Sequence, residues 1–236
     1  MFPLYDENPT KLLPVSTFAV ITACTGVWVF LQGAGTSEET FYSSMCSLGA
    51  IPADLTGSMS ATERQGPCPI GGFSWATLFT SIFSHGSWFH LIGNMWFLWI
   101  FGNNIEDAMG HLRFLAFFVL TGLIAVLAHT FMWPDSSLPL VGASGAISGI
   151  MGAYFVLYPK ARIRTLFVFG FFIRVIPIPA WVFLGIWTGM QFLGSYVEGL
   201  LPESGGVAYA AHIGGLCAGL VLIFLFRKAK PATAWI

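Results

Sequence analysis

Charged residues are scarce in this chain, and that scarcity excludes an ordinary soluble domain. Asp, Glu, Lys and Arg together make up 9% of the 236 residues, whereas a soluble domain carries about 25%. The formal net charge of −1 gives no electrostatic basis for binding nucleic acid. Hydrophobic residues instead reach 56% and aromatic residues 16%. This balance predicts a membrane protein.

Several processing and ligand signals are also missing. The opening MFPLYDENPTKLL has neither a basic region nor a cleavage site of the A-x-A type, so we expect the first apolar stretch to be a retained span. The four cysteines have no C-x-x-C spacing, which excludes the usual zinc pattern. Cys24 and Cys217 lie in apolar segments and are expected to be buried. Cys46 and Cys68 share one long loop and would pair only in an oxidising compartment, and the sequence leaves both states open.

Apolar segments long enough for the membrane are the main feature that is present. A helix needs about 20 apolar residues to cross the hydrocarbon core. The sequence therefore predicts an all-α integral membrane protein, a bundle of six transmembrane helices. The predicted spans are 12–32, 88–102, 112–132, 141–158, 175–197 and 207–226. The stretch TLFVFGFFI, 165–173, is too short to cross and is expected to lie at the membrane interface.

The basic residues support this span count. With the N-terminus in the cytoplasm, one Lys or Arg, Arg64, falls outside, and the other nine fall inside, as the positive-inside rule requires. These nine are Lys11, Arg113, Lys160, Arg162, Arg164, Arg174, Arg227, Lys228 and Lys230. The predicted organisation is a short cytoplasmic N-terminus (1–11), one six-span domain (12–226) with a long outer first loop (33–74), and a short cytoplasmic tail (227–236).

Polar residues inside spans are costly, so each one is a candidate functional residue. His90 and Asn94 lie four residues apart on the second span and therefore share a helix face. Ser144 begins the fourth span, and His212 lies a few residues into the sixth. All four are expected at a similar depth below the outer surface. His129, near the outer end of the third span, is expected to be structural.

Small residues surround the candidate serine and histidine. Gly142 precedes Ser144, and Gly145 and Gly149 follow it at the spacing of one helix face. Gly215 and Gly219 lie three and seven residues after His212 on the sixth span, on the same helix face as the histidine. Small residues at this spacing let membrane helices approach closely. We therefore expect the fourth and sixth spans to bring Ser144 Oγ within hydrogen-bond reach of the His212 ring.

These residue types fit acyl transfer. A serine hydroxyl becomes a good nucleophile when a neutral imidazole takes its proton. No Asp or Glu in a span is positioned to orient His212, so the sequence predicts a dyad. The Asn94 amide and the His90 ring could both donate hydrogen bonds to an oxyanion, as could the backbone N–H of Ser144 at its helix start.

Four motifs occur in order along the chain: HLIGN (90–94), GNNIEDAMG (102–110), GASG (142–145) and AHIGGLCAG (211–219). Together they resemble the rhomboid intramembrane serine proteases in their basic six-span form. The resemblance implies Ser144 as nucleophile, His212 as base, and His90 and Asn94 as oxyanion stabilisers. It implies membrane lipids and transmembrane protein substrates as partners, cut near the outer boundary at small residues. It implies no metal and no cofactor.

Two departures and one further expectation accompany the resemblance. Some members carry a tyrosine four residues after the serine that packs on the catalytic histidine, and this chain has Ser148 there. The W-R pair found in the first outer loop of some members is absent. The resemblance also implies gating by the fifth span, which carries the bulky residues Trp181, Phe183, Trp187 and Phe192, and by the loop 198–207.

Two other functions fit parts of the sequence. A non-catalytic rhomboid-like binder of client helices would usually lack the serine or the histidine, and both are present. A transporter would place charged residues in the middle of its spans, and none occur there. The compact termini suggest a prokaryotic inner membrane, with both termini in the cytoplasm.

Overall fold

The computed structural model describes residues 2–58, 68, 74–200 and 206–228. Some features named above lie outside these ranges. They are Arg64 and Lys230 of the charge pattern, most of the second half of the loop 33–74, residues 201–205 after the fifth predicted span, and most of the tail.

Six long helical segments overlap the six predicted spans, but the fifth begins at Ala180, because residues 175–179 of that predicted span lie in a β-strand. They are α1 (Val15–Gly26, which continues as a π-helical turn Val27–Leu31), α5 (Trp88–Met109), α6 (His111–Met132), α7 (Ser144–Leu157), α8 (Ala180–Leu200) and α9 (Tyr209–Phe226). Among the described residues, α6 and α9 are each long and apolar enough to cross a membrane by length and composition. The number of crossings therefore stays a prediction.

Short elements fill the connection between α1 and α5. A 3-10 turn at Gly33–Gly35 is followed by α2 (Glu38–Leu48), α3 (Pro52–Thr56) and α4 (Ala76–Thr80). Cys46 and Cys68, whose pairing the sequence left open, form a disulfide in this connection. The expectation that Cys217 is buried is wrong, because its side chain is exposed on the surface of α9.

The chain is mostly helical, but the expectation of an all-α fold is wrong. Three antiparallel strands, β1 (Phe2–Asp6), β2 (Arg162–Phe169) and β3 (Phe172–Pro179), form a sheet in the order β1-β2-β3. The predicted interfacial stretch 165–173 is the end of the β2–β3 hairpin. Its β-branched and aromatic residues favour strands, and Gly170 supplies the positive φ of +57° that the turn requires.

Helix α7 lies at the centre of the bundle. It packs against α5, α6, α8 and α9, and every residue from Gly145 to Tyr154 is buried. A helix that is apolar on all sides can be covered in this way, because no face needs to meet water. Ser144 and His212 both lie at the helix ends on one side of the bundle, here called the loop end. The opposite side carries the sheet and most of the basic residues and is here called the basic end.

Two carboxylates join α1 to α5 at the basic end. Glu106 accepts hydrogen bonds from the backbone N–H groups of Ser16 (2.7 Å) and Thr17 (2.8 Å), and Asp107 accepts one from the N–H of Leu12 (3.0 Å). These donors lie in or just before the first turn of α1, where helical N–H groups have no partner within the helix. The carboxylates of the GNNIEDAMG motif therefore cap α1 and fix its position against α5.

Candidate active site

The serine and histidine singled out in the sequence are in direct contact. Ser144 Oγ lies 2.8 Å from His212 Nε2. Ser144 is the first residue of α7, and His212 lies in the first turn of α9. The distance is within the range of an O–H···N hydrogen bond between a nucleophile and its general base.

Glycines on α9 allow this contact. A Cβ atom added to Gly215 would overlap the backbone carbonyl oxygen of Gly145, and one added to Gly219 would overlap that of Gly149. The backbones of α7 and α9 therefore touch directly over two turns. Any larger side chain at Gly215 or Gly219 would push α9, and with it the His212 ring, away from Ser144.

Gly145 and Gly149 on α7 face a different neighbour from the one expected, whereas Gly152 faces α9. Cβ atoms added to Gly145 and Gly149 would lie 2.5 Å from the Cβ atoms of Ala125 and Thr121, both on α6. These two glycines thus admit α6 on one side, while their carbonyl groups contact α9 on the other. The small residues of α7 serve two helix interfaces, where the sequence suggested one.

His90, Asn94 and Gly142 meet just before the serine. A Cβ on Gly142 would lie 2.7 Å from His90 Nε2 and 3.6 Å from Asn94 Nδ2, and the glycine has a φ of +123°. A side chain here would thus be strained by the backbone and would also strike the His90 ring. The N–H of Gly142 donates to the carbonyl of Ser81 (2.9 Å), which anchors the segment leading into α7.

Donor groups at this point are available to a ligand. Asn94 Nδ2 is buried and makes no hydrogen bond to the described residues. His90 Nδ1 accepts a hydrogen bond from the N–H of Gly86 (3.2 Å), so in the neutral ring the proton lies on Nε2, on the side of Gly142. An amide N–H and a ring N–H therefore both face the approach to Ser144. Such donors can stabilise an oxyanion.

A cavity of about 1000 Å³ connects these groups. Ser144, His212, His90 and Asn94 all line it, together with Trp187 from α8 and Trp133 from the loop after α6. This volume is large enough for several residues of an extended peptide. His129 also lines the cavity, and its Nδ1 is buried without a partner among the described residues.

The second ring nitrogen of His212 has a partner that the sequence analysis missed. His212 Nδ1 lies 2.8 Å from Gln191 Oε1, and Gln191 is a buried residue of α8. The rule that flags polar residues inside spans would have found it, because Gln191 is the one amide side chain in the fifth predicted span.

Ser148, the position where some rhomboids have tyrosine, does not support the His212 ring. Its hydroxyl donates to the Ser144 carbonyl at 2.7 Å, within the same helix. Two aromatic rings lie near the imidazole instead. The Trp187 ring centroid is 6.0 Å from that of His212, and the Tyr209 ring stands nearly perpendicular at 6.5 Å.

The aromatic residues of α8 lie in different environments. Trp181 and Phe192 are each 55% exposed on the outer face of the helix, whereas Phe183 is buried in the core and Trp187 lines the cavity. Gating by these four residues stays a prediction. In the loop 198–207, the described residues Glu198, Gly206 and Val207 also line the cavity.

Comparisons with known proteins agree with the motifs. The Rhomboid domain model matches residues 72–229. Among curated relatives, Rhomboid protein 1, mitochondrial, of Saccharomyces cerevisiae is 32% identical over 63% of this chain and 41% of its own length. Rhomboid-like protein 11, chloroplastic, of Arabidopsis thaliana is 27% identical over 68% of this chain and 55% of its own. The Presenilin-associated rhomboid-like protein, mitochondrial, of Bos taurus is 27% identical over 59% and 35%.

These relatives overturn the expected location. Their names place them in mitochondria or chloroplasts, so the expectation of a prokaryotic cell membrane is wrong. The compact termini on which that expectation rested carry no information about the membrane. The matched segments also span about half or less of each relative's length.

The family model covers well over half of the chain, and the four motifs lie at the helix positions that the contacts above require. The fold is therefore that of a membrane protein, and this chain belongs to the rhomboid family.

Proposed function

We propose that this protein is an intramembrane serine endopeptidase that cleaves transmembrane segments of other membrane proteins with a Ser144–His212 dyad. The observation that carries the proposal is the 2.8 Å contact between Ser144 Oγ and His212 Nε2 in a cavity that also contains Asn94 Nδ2, which has no partner among the described residues. The family acts on membrane-protein substrates, which supports the substrate class.

The proposed reaction has two stages. Ser144 Oγ attacks the scissile carbonyl carbon while its proton moves to His212 Nε2, and the resulting oxyanion accepts hydrogen bonds from Asn94 Nδ2 and His90 Nε2–H. The C–N bond then breaks, and the leaving amine takes the proton from His212. A water molecule, deprotonated by the same ring, hydrolyses the acyl-enzyme and regenerates the serine.

The six long helices are proposed to cross the membrane, with the basic end on the side that the positive-inside pattern marks as inner. The dyad lies at the start of α7 and in the first turn of α9, near the loop end. Cleavage is therefore proposed near the outer boundary of a substrate helix, and the family resemblance implies small residues at the cut. By its relatives, the membrane is one of a mitochondrion or a chloroplast.

The test uses the purified full chain in mild detergent with a fluorescent fluorophosphonate probe, followed by a reconstituted transmembrane substrate whose products are identified by mass spectrometry. The wild type should be labelled and should cleave, and Ser144→Ala and His212→Ala should do neither while eluting as the same folded species. Cleavage that persists in Ser144→Ala would contradict the assignment. Absence of both labelling and cleavage in the folded wild type would indicate a non-catalytic binder of client helices.

A further inference from the structure

Gln191 is the unexpected polar residue of the site. It lies on α8, is 7% exposed, and its Oε1 is 2.8 Å from His212 Nδ1. Among the described residues, no carboxylate makes a hydrogen bond to His212. The position that a carboxylate occupies in a Ser-His-Asp triad is thus held here by a neutral amide.

The orientation of the Gln191 amide follows from its second contact. Gln191 Nε2 donates to the backbone carbonyl of Trp187, one turn earlier on α8, at 3.2 Å. Rotating the amide by half a turn would set its oxygen against that carbonyl oxygen, which is repulsive, and would offer an N–H to His212. The hydrogen-bond network therefore keeps Oε1 on the side of the imidazole.

This orientation selects one tautomer of the histidine. An amide oxygen can only accept, so His212 Nδ1 must carry the ring proton. The lone pair of the neutral ring is then on Nε2, which faces Ser144 Oγ at 2.8 Å. In the other tautomer an Nε2–H would point at the serine, and the ring could not take the serine proton.

The position of Gln191 on α8 adds to the argument. The buried residues of this helix are Ala180, Phe183 and Leu184 in its first two turns and Gln191 further along. Between Gly185 and Leu200, Gln191 is the one described residue that is buried, and it is polar. Burial of an amide in a face that is otherwise exposed or half-buried would be costly without a partner, and its partner is the base of the site.

We propose that Gln191 is the positioning residue of His212. Gln191 holds the imidazole in the Nδ1–H tautomer, so the ring is ready to act as a base while α8 is packed against α9. The proposal rests on the Ser144–His212 peptidase proposed above. It also names the group that supports the ring where some rhomboids use the aromatic residue that this chain lacks at Ser148. When α8 moves away from α9, the hydrogen bond breaks and the ring loses its fixed orientation.

The experiment compares two adjacent substitutions to the same residue. Gln191→Leu removes the amide at similar size, and Met190→Leu is the matched control, because Met190 is 54% exposed and does not line the cavity. We expect Gln191→Leu to lower kcat about 10- to 100-fold with KM changed less than about threefold, since loss of a hydrogen bond that orients a histidine acts on the chemical step. Met190→Leu should match the wild type.

A conservative variant and a spectroscopic signature separate positioning from packing. Gln191→Glu keeps an acceptor oxygen at the same reach and should recover kcat to within about fivefold of the wild type. In protein carrying ¹⁵N-labelled histidine, the His212 signals should report Nδ1–H in the wild type and in Gln191→Glu. They should report a mixture of tautomers in Gln191→Leu. The proposal would be overturned if folded Gln191→Leu and Gln191→Glu lost kcat equally. It would also be overturned if kcat were unchanged in Gln191→Leu.

These outcomes are distinct from failure of the proposed function. If the enzyme is not a serine peptidase, the wild type itself is neither labelled nor active, and Ser144→Ala behaves identically. If the peptidase assignment is right and Gln191 has no positioning role, the wild type cleaves, His212→Ala does not, and Gln191→Leu cleaves at the wild-type rate.

Discussion

Helix α9 carries His212, and helix α8 contacts the His212 ring through Gln191, but the two helices are packed in opposite ways. Helix α9 presses its glycine backbone directly onto carbonyl groups of α7, without intervening side chains at Gly215 and Gly219. Helix α8 leaves most of its side chains exposed or half-buried and, beyond its first two turns, buries Gln191 alone among its described residues. The first interface fixes how closely the backbones of α7 and α9 approach, and movement of α8 would leave this contact in place while breaking the hydrogen bond between Gln191 and His212.

The largest expected difference in stability between the two helix interfaces follows from adding one methyl group to each helix. Gly219→Ala places a Cβ on the Gly149 carbonyl, so we expect a loss of about 3 kcal/mol of stability and very low folded yield. Gly189→Ala on α8 meets no atom within 4 Å, and it should be neutral or stabilising by up to about 1 kcal/mol. Thermal unfolding of both variants in the same detergent measures the difference, and equal melting temperatures would refute it.

A second prediction concerns Gly142, in the segment that leads into Ser144 and α7. Gly142→Ala combines an unfavourable φ of +123° with a Cβ 2.7 Å from the His90 ring. We expect about a 100-fold loss of peptidase activity, comparable with loss of an oxyanion donor, with the fold retained. Cleavage rates and gel-filtration profiles measured together check this. Gly86→Ala is the control, because its added Cβ would lie 3.7 Å from His90 Nδ1, an ordinary contact. Wild-type activity in Gly142→Ala would show that the His90 ring can be displaced freely.

A third prediction concerns the exposed aromatic side chains on the outer face of α8. Trp181→Ala and Phe192→Ala remove exposed side chains, and we expect the pair to raise cleavage about two- to fivefold if opening limits turnover. Trp187→Ala should lower cleavage instead, because that ring lies 6.0 Å from His212. Initial rates with one transmembrane substrate test both signs. An unchanged rate in the double variant would mean that α8 does not gate entry.

The smallest expected effect lies at the basic end, far from both helices. Burial raises the pKa of Asp6 from 3.8 to about 6, although Tyr154 and Asn104 donate hydrogen bonds to its carboxyl group. The folded state therefore binds this proton more tightly than the unfolded state does, and stability should fall as the pH rises from about 4 through 6.

Asp6→Asn tests this assignment, because it removes the titrating group while keeping a hydrogen-bond acceptor. The melting temperature of the wild type minus that of Asp6→Asn should decrease between pH 4 and pH 7. A difference that stays flat over this interval would show that Asp6 titrates normally. Activity at a fixed pH should be the same in the two proteins.

The dyad and its donors were predictable because membrane burial makes polar residues conspicuous. His90, Asn94, Ser144 and His212 stand out from apolar surroundings, and helix direction alone puts them at one depth. The structure brings all four to one cavity, and their catalytic roles stay proposals.

Other features could not be read from periodicity. Glycine has no side chain, so the spacing of the α7 glycines could not tell whether α6 or α9 packs against each of them. The β2–β3 hairpin is a short apolar run, for which strand and interfacial segment look alike in sequence. The pairing of β1 with β2 depends on residues more than 150 positions apart, and no local pattern encodes it.

That pairing has a consequence for biosynthesis. Strand β1 leaves the ribosome well before its partner β2, the central strand of the sheet. Arg164 of β2, which forms an ion pair with Glu7, is made 157 residues later. At about 5–20 residues per second, the first strand waits roughly 8–30 s for its partner, while four of the six long helices are being synthesised. Strand β1 of a nascent chain is therefore unpaired until β2 has been synthesised, and during this interval an insertase or chaperone could still reach it.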